Sequence, residues 1–112
     1  MKKIILVEDC RDMNKLITKI LTVKGFSVDA CYDGETALEL LSKNSYDGIV
    51  TDYQLPGING LKILETLASQ SIRKVMLSAY GSITLKQNVE KLGAVFMDKP
   101  FDNEELVRQL RK

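Results

Sequence analysis

A chain of 112 residues, 45% hydrophobic and 28% charged, has the size and composition of one globular domain with a single core and no need of disulfide staples. Sixteen basic residues balance fifteen acidic ones, and the net charge of +1 gives no electrostatic case for nucleic acid. The absence of histidine excludes Ser-His-Asp and Cys-His nucleophile systems, HExxH zinc sites and phosphohistidine on this chain.

Ile4 to Val7 reads as a strand buried on both faces, because its apolar run is unbroken. That run is too short for a signal-peptide core, and nothing approaches the roughly 20 apolar residues of a membrane span. Cys10 and Cys31 are too few and too far apart for a metal cage or a disulfide framework. A soluble, cytoplasmic protein with reduced thiols is therefore expected.

Met13, Leu16, Ile17, Ile20 and Leu21 follow at helical spacing, and Gly25 ends that first helix. Phe26 to Tyr32 reads as a second strand, and Asp33 as the cap of a helix carrying Ala37, Leu38, Leu40 and Leu41. Gly48 to Thr51 is a third strand, ending at Asp52. Beyond a loop with Pro56, Gly57 and Gly60, a third helix is marked by Leu61, Ile63, Leu64 and Leu67. Val75 to Leu77 is a fourth strand. Ser82 to Leu92 is a less apolar helix followed by Gly93, and Val95 to Met97 is a fifth strand. Asp102 opens the last helix, with Glu105 three residues on in a capping-box pattern. The alternation predicts one α/β domain over residues 1–112, its parallel sheet covered on both faces.

Ligands of such sheets bind outside the carboxyl ends of the strands. Glu8-Asp9, Asp52, Ser78-Ala79 and Asp98-Lys99-Pro100 all stand at such ends. Each is unremarkable alone, and Asp9 reads equally as the N-cap of the first helix. Together, crowded carboxylates repel unless a cation neutralises them, and oxygen-only ligands point to a hard ion. Mg²⁺ comes first, with Mn²⁺ as the alternative. Phosphoryl transfer suits this set. A carboxylate nucleophile forms an acyl phosphate, and cations and donors meet the charge on its equatorial oxygens. Lys99 and Ser78 supply an ammonium and a hydroxyl for that purpose.

Four motifs stand in order at these strand ends: Ile4 to Asp9, Asp47 to Gly60, Met76 to Tyr80, and Gly93-Ala94 leading to Lys99-Pro100-Phe101. With them the chain resembles, over essentially its whole length, the response-regulator receiver domains of two-component signal transduction. The resemblance implies a flavodoxin-like, doubly wound fold, with five parallel strands in the order 2-1-3-4-5 and five helices. It implies Asp52 as the phosphoacceptor, with Ser78 and Lys99 as its catalytic partners. Mg²⁺ would be held by Glu8, Asp9, Asp52 and the backbone carbonyl of Gln54. The Lys99–Pro100 peptide bond would be cis, aiming the ammonium into the site.

Ser78 and Phe96 would form the switch that alters the surface of helix four, strand five and helix five. Phe96 stands where a tyrosine hydroxyl is otherwise found, so its response is expected to run through packing. Gln54 and Tyr80 flank the site as rate-modulating positions, Tyr80 by shielding the acyl phosphate from water. The implied partners are a sensor histidine kinase or phosphotransfer protein and an output domain or downstream protein, with a phosphorylation-linked homodimer as a further expectation. Neither nucleic acid nor a membrane is an expected direct partner. The chain would be no enzyme beyond its own phosphorylation and dephosphorylation.

Three departures stand out. Glu8 occupies a position where Asp is commoner, and the chain is one residue shorter than most relatives between Gly93-Ala94 and Phe96. Asp98 before Lys99 resembles receivers of the nitrogen-regulation type, which drive separate output domains. The end at Arg111-Lys112 leaves a stand-alone receiver and an excised amino-terminal fragment both open and favours the fragment.

A haloacid-dehalogenase-type phosphatase needs a second Asp two residues after the nucleophile, where Gln54 stands. A flavodoxin-like cofactor protein needs a hydroxyl-rich loop after the first strand, which is missing. The alternative that stays in view is a non-phosphorylated pseudo-receiver acting only as a protein interaction module. Such proteins usually lose one of the site residues, and none is lost here.

Overall fold

The computed structural model describes all 112 residues. Ten elements alternate: β1 (Lys3–Val7), α1 (Arg11–Val23), β2 (Ser27–Cys31), α2 (Gly34–Lys43), β3 (Gly48–Asp52), α3 (Gly60–Thr66), β4 (Arg73–Ser78), α4 (Ile83–Lys91), β5 (Val95–Asp98) and α5 (Asn103–Arg111). The strands form one parallel sheet in the order β2-β1-β3-β4-β5, the order that the resemblance implies.

Burial follows that order. The central strands β1, β3 and β4 are almost wholly buried, whereas β2 and β5, at the edges, are half-exposed. Successive side chains leave a strand on opposite faces and so build two cores. Ile5, Val7, Ile49 and Met76 meet α2, α3 and α4 on one face. Ile4, Leu6, Val50, Val75 and Leu77 meet α1 and α5 on the other. From β1 the chain winds one way to β2 and the other way to β3. A crevice therefore opens beyond the carboxyl ends of β1 and β3, the usual ligand position of this topology.

Several local expectations need correction. Leu16 is 52% exposed, and Asn14 takes a buried place in the α1 stripe instead. Its amide donates to the carbonyls of Glu8 and Cys31, both at 3.0 Å, and so pairs groups at the ends of β1 and β2. Strand β2 is shorter than the expected Phe26–Tyr32, although Phe26 stays buried beneath α1. Strand β4 begins at Arg73 rather than Val75 because Lys74 can enter the interior. Its stem is buried while its ammonium donates to the carbonyls of Gln70 at 2.8 Å and Ile72 at 3.2 Å. On α5, the Asp102 carboxylate accepts from the N–H groups of Glu104 and Glu105. Glu105 turns its own carboxylate to Arg108 and Gln109, so only half of the capping box forms.

Gly25 and Gly93 end α1 and α4 at φ +95° and +73°, a region that residues with a Cβ enter at a cost. Both cysteines are free. No helix is long and apolar enough to cross a membrane.

Candidate functional site

Strand β1 delivers Glu8 and Asp9 into the crevice. Glu8 is 2% exposed, and its Oε2 accepts the Cys10 backbone N–H at 3.1 Å. The cap position of α1 belongs to Cys10, with no side-chain capping bond, so the helix-cap reading of Asp9 does not hold. Asp9 lies exposed beside Glu8.

Strand β3 delivers Asp52, whose backbone is fixed from both sides. The Thr51 hydroxyl donates to the Asp52 carbonyl at 2.9 Å, and Gly60 N–H donates to the Tyr53 carbonyl at 2.9 Å. A Cβ on Gly60 would lie 2.1 Å from the Asp52 carbonyl oxygen, so only glycine lets α3 start against this strand end. Asn59 then caps α3 by accepting Lys62 N–H at 3.0 Å.

Lys99 arrives from beyond β5. Its N–H donates to the Ser78 carbonyl at 3.0 Å, and the Lys99–Pro100 peptide bond is cis. The ammonium lies 2.9 Å from Glu8 Oε1 and 3.2 Å from Asp52 Oδ2, bridging the two carboxylates. Ser78 is buried at the end of β4. Its Oγ accepts Tyr80 N–H at 3.1 Å and donates to the Tyr80 carbonyl at 3.3 Å.

Burial pushes the Glu8 carboxyl above its ordinary range. The Lys99 and Cys10 hydrogen bonds pull it down, and the charge of Asp52 adds to the rise. For Lys99, burial works to lower the pKa. The Glu8 hydrogen bond and the charge of Asp52 outweigh it and hold the ammonium above its ordinary value.

Carboxylate oxygens of Glu8, Asp9 and Asp52 lie within 4.8 Å of one another. Three carboxylates against one ammonium leave a formal surplus of two negative charges, and every donor is oxygen. That set fits a hard divalent cation.

Of the expected residues, Glu8, Asp9, Asp52 and Lys99 come together. Ser78 stands on the neighbouring strand, one residue beyond the Asp52–Leu77 pair. Gln54 and Tyr80 are exposed. Phe96 pairs with Met76, further down the sheet than the carboxylates. Three supports were not anticipated. The polar Asn14 inside an apolar helical stripe was a visible signal, whereas Thr51 and the Tyr80 backbone clamp on Ser78 left none.

The family model described as response regulator receiver domain matches residues 4–111. The chain is 37% identical over 113 residues to the transcriptional regulatory protein CpxR of Escherichia coli (strain K12), covering 99% of this chain and 48% of CpxR. It is 28% identical over 114 residues to the sporulation initiation phosphotransferase F of Bacillus subtilis (strain 168), covering 99% of this chain and 92% of that protein. The chain thus spans about half the length of the first of these relatives and nearly all of the second. Among solved structures, the receiver domain of the Francisella response regulator 1452 superposes with a TM-score of 0.90 at 29% identity, covering 99% of this chain and 94% of the other. The chemotaxis response regulator CheY4 of Vibrio cholerae gives 0.87 at 28% identity, covering 99% and 97%. The chain belongs to the response-regulator receiver domains, the phosphorylation-based signalling modules of two-component systems.

Proposed function

We propose that this receiver takes a phosphoryl group onto Asp52 from a histidine kinase or phosphotransfer protein, in a Mg²⁺-dependent reaction promoted by its own residues. One observation carries the reading. Oxygens of Glu8, Asp9 and Asp52 converge within 4.8 Å while the Lys99 ammonium is bonded to two of the three carboxylates.

Glu8, Asp9, Asp52 and the Gln54 carbonyl would hold the cation. When bound, it supplies Lewis-acid neutralisation of the phosphoryl charge. A carboxylate oxygen of Asp52 attacks phosphorus, a new P–O bond forms, and the bond from phosphorus to the donor breaks. Lys99 Nζ, already 3.2 Å from Asp52 Oδ2, stands ready to meet the charge on a transferred oxygen. The Ser78 hydroxyl donates to the phosphoryl group by giving up the Tyr80 carbonyl that it holds at 3.3 Å. Phe96 follows that movement, and the surface of α4, β5 and α5 carries the change to an output domain or partner. Gln54 stands where external turnover would need a second acid, so the chain is no enzyme towards other substrates.

The test is incubation with acetyl phosphate and Mg²⁺, read by intact mass and by beryllofluoride titration. One phosphoryl adduct, lost in Asp52→Asn, is expected. Neither adduct nor beryllofluoride binding by the wild type would mean an interaction module instead. Tyr80→Ala should shorten the life of the adduct, because Tyr80, 69% exposed, can cover the acyl phosphate without being needed for the fold. An unchanged dephosphorylation rate would remove the shielding role.

A further inference from the structure

Before phosphorylation something must hold Phe96 in place, and one side chain of α4 reaches it from outside. In the β4–β5 ladder Phe96 pairs with Met76 and Asp98 with Ser78. Alternation sends all four side chains to one face, the face that α4 covers. From α4, Lys86 sets its Nζ 5.4 Å from the centroid of the Phe96 ring and 3.6 Å from Asp98 Oδ2. One ammonium thus touches the switch ring and the residue immediately before Lys99.

Gly81 makes that contact possible. A Cβ there would lie 2.7 Å from Lys86 Cε and 2.8 Å from Phe96 Cε1 and Cζ, so the lysine stem and the ring rest on the bare backbone of the β4–α4 loop. The outer side of Phe96 is open, lining a surface recess with Lys86, Glu90, Ala94, Val95 and Asp98. Packing alone does not seal the ring on that side.

Resting on the phosphoacceptor reading, we propose that Lys86 is a positioning residue, a latch that holds α4 and Phe96 in the resting arrangement. Turning the ring away breaks the cation–π contact, and shifting α4 breaks the ion pair. Each contact is weak by itself, but both depend on the same ammonium in the same place. Without the latch the switched form gains population. The apparent affinity for a phosphoryl mimic rises by the same factor while that form remains a minority.

The test is beryllofluoride titration in Mg²⁺ on the full chain, with Phe96 ring signals followed by NMR. Lys86→Met keeps the apolar stem and removes the charge, and should tighten apparent binding about fivefold. Lys86→Arg should bind as the wild type does, because it restores the cation. Asp98→Asn added to Lys86→Met should produce no further gain through this contact. Lys86→Met binding no tighter than the wild type, or Lys86→Arg shifting as far as Met, would overturn the latch while the phosphoacceptor reading stands. A wild type that does not bind beryllofluoride would overturn the phosphoacceptor reading and the latch together.

Discussion

Lys99 carries one charge between two carboxylates, and the balance around it decides how the cation-free protein behaves. Glu8 titrates higher folded than unfolded because burial penalises its charged form more than Lys99 and Cys10 stabilise it. Its contribution therefore favours the fold at acid pH and is lost as pH rises through the raised value. Lys99 has the same sign at the other end of the scale. Its contribution holds through neutral pH and is lost only as pH rises through a value above the ordinary lysine range. Glu8→Gln should thus be more stable than the wild type in urea without divalent cations at neutral pH, with the gap closing on acidification. A variant less stable than the wild type at neutral pH would show that Lys99, not burial, controls Glu8. Asp9 has no comparable structural duty, being exposed and free of the helix cap.

At the level of elements, the approach of α3 to the end of β3 fixes where Asp52 sits. A Cβ on Gly60 would meet the Asp52 carbonyl at 2.1 Å, contact that backbone cannot relieve cheaply. Gly60→Ala should cost about 3 kcal/mol in chemical denaturation and weaken beryllofluoride binding in the molecules that do fold. A stability near that of the wild type would mean that α3 can slide away without disturbing the site. The ten elements were legible in the sequence because hydrophobic period and cap residues act locally. Asp33, Ser82 and Asp102 cap helices through bonds two or three residues away. The site was legible for a different reason: parallel topology sends every carboxyl strand end to one edge, so residues 8, 9, 52 and 99 come together, with Ser78 on the neighbouring strand, without any need to know the packing. What escaped depends on partners that only the folded backbone presents. Asn14 is buried because it closes two strand ends, Lys74 enters β4 because two carbonyls await its ammonium, and Leu16 is left outside the core. Lys86 lay in a weak helical pattern, and its link to Phe96 and Asp98 exists only through the β4–β5 register.

Over the whole molecule, a cation bound as proposed would convert the crowding of these carboxylates into a source of stability. The fold gathers three carboxylates at the edge where its two halves diverge, with one ammonium bonded to two of them. A divalent ion that binds only this assembled set stabilises the native state by mass action. At a concentration 100-fold above its dissociation constant the gain is about 2.7 kcal/mol. For a domain of this size that corresponds to a rise in Tm of about 10 °C. Asp9→Asn separates this effect from general folding. Because Asp9 is exposed and caps nothing, the variant should unfold close to the wild type in EDTA. With one carboxylate removed from the cluster it should lose most of the Mg²⁺-induced rise. Thermal melts of both proteins with and without Mg²⁺, at matched ionic strength so that screening does not contribute, measure the difference. An equal rise in the two would place the cation elsewhere on the molecule and leave the Lys99 bridge between Glu8 and Asp52 as the counter-charge of the cluster.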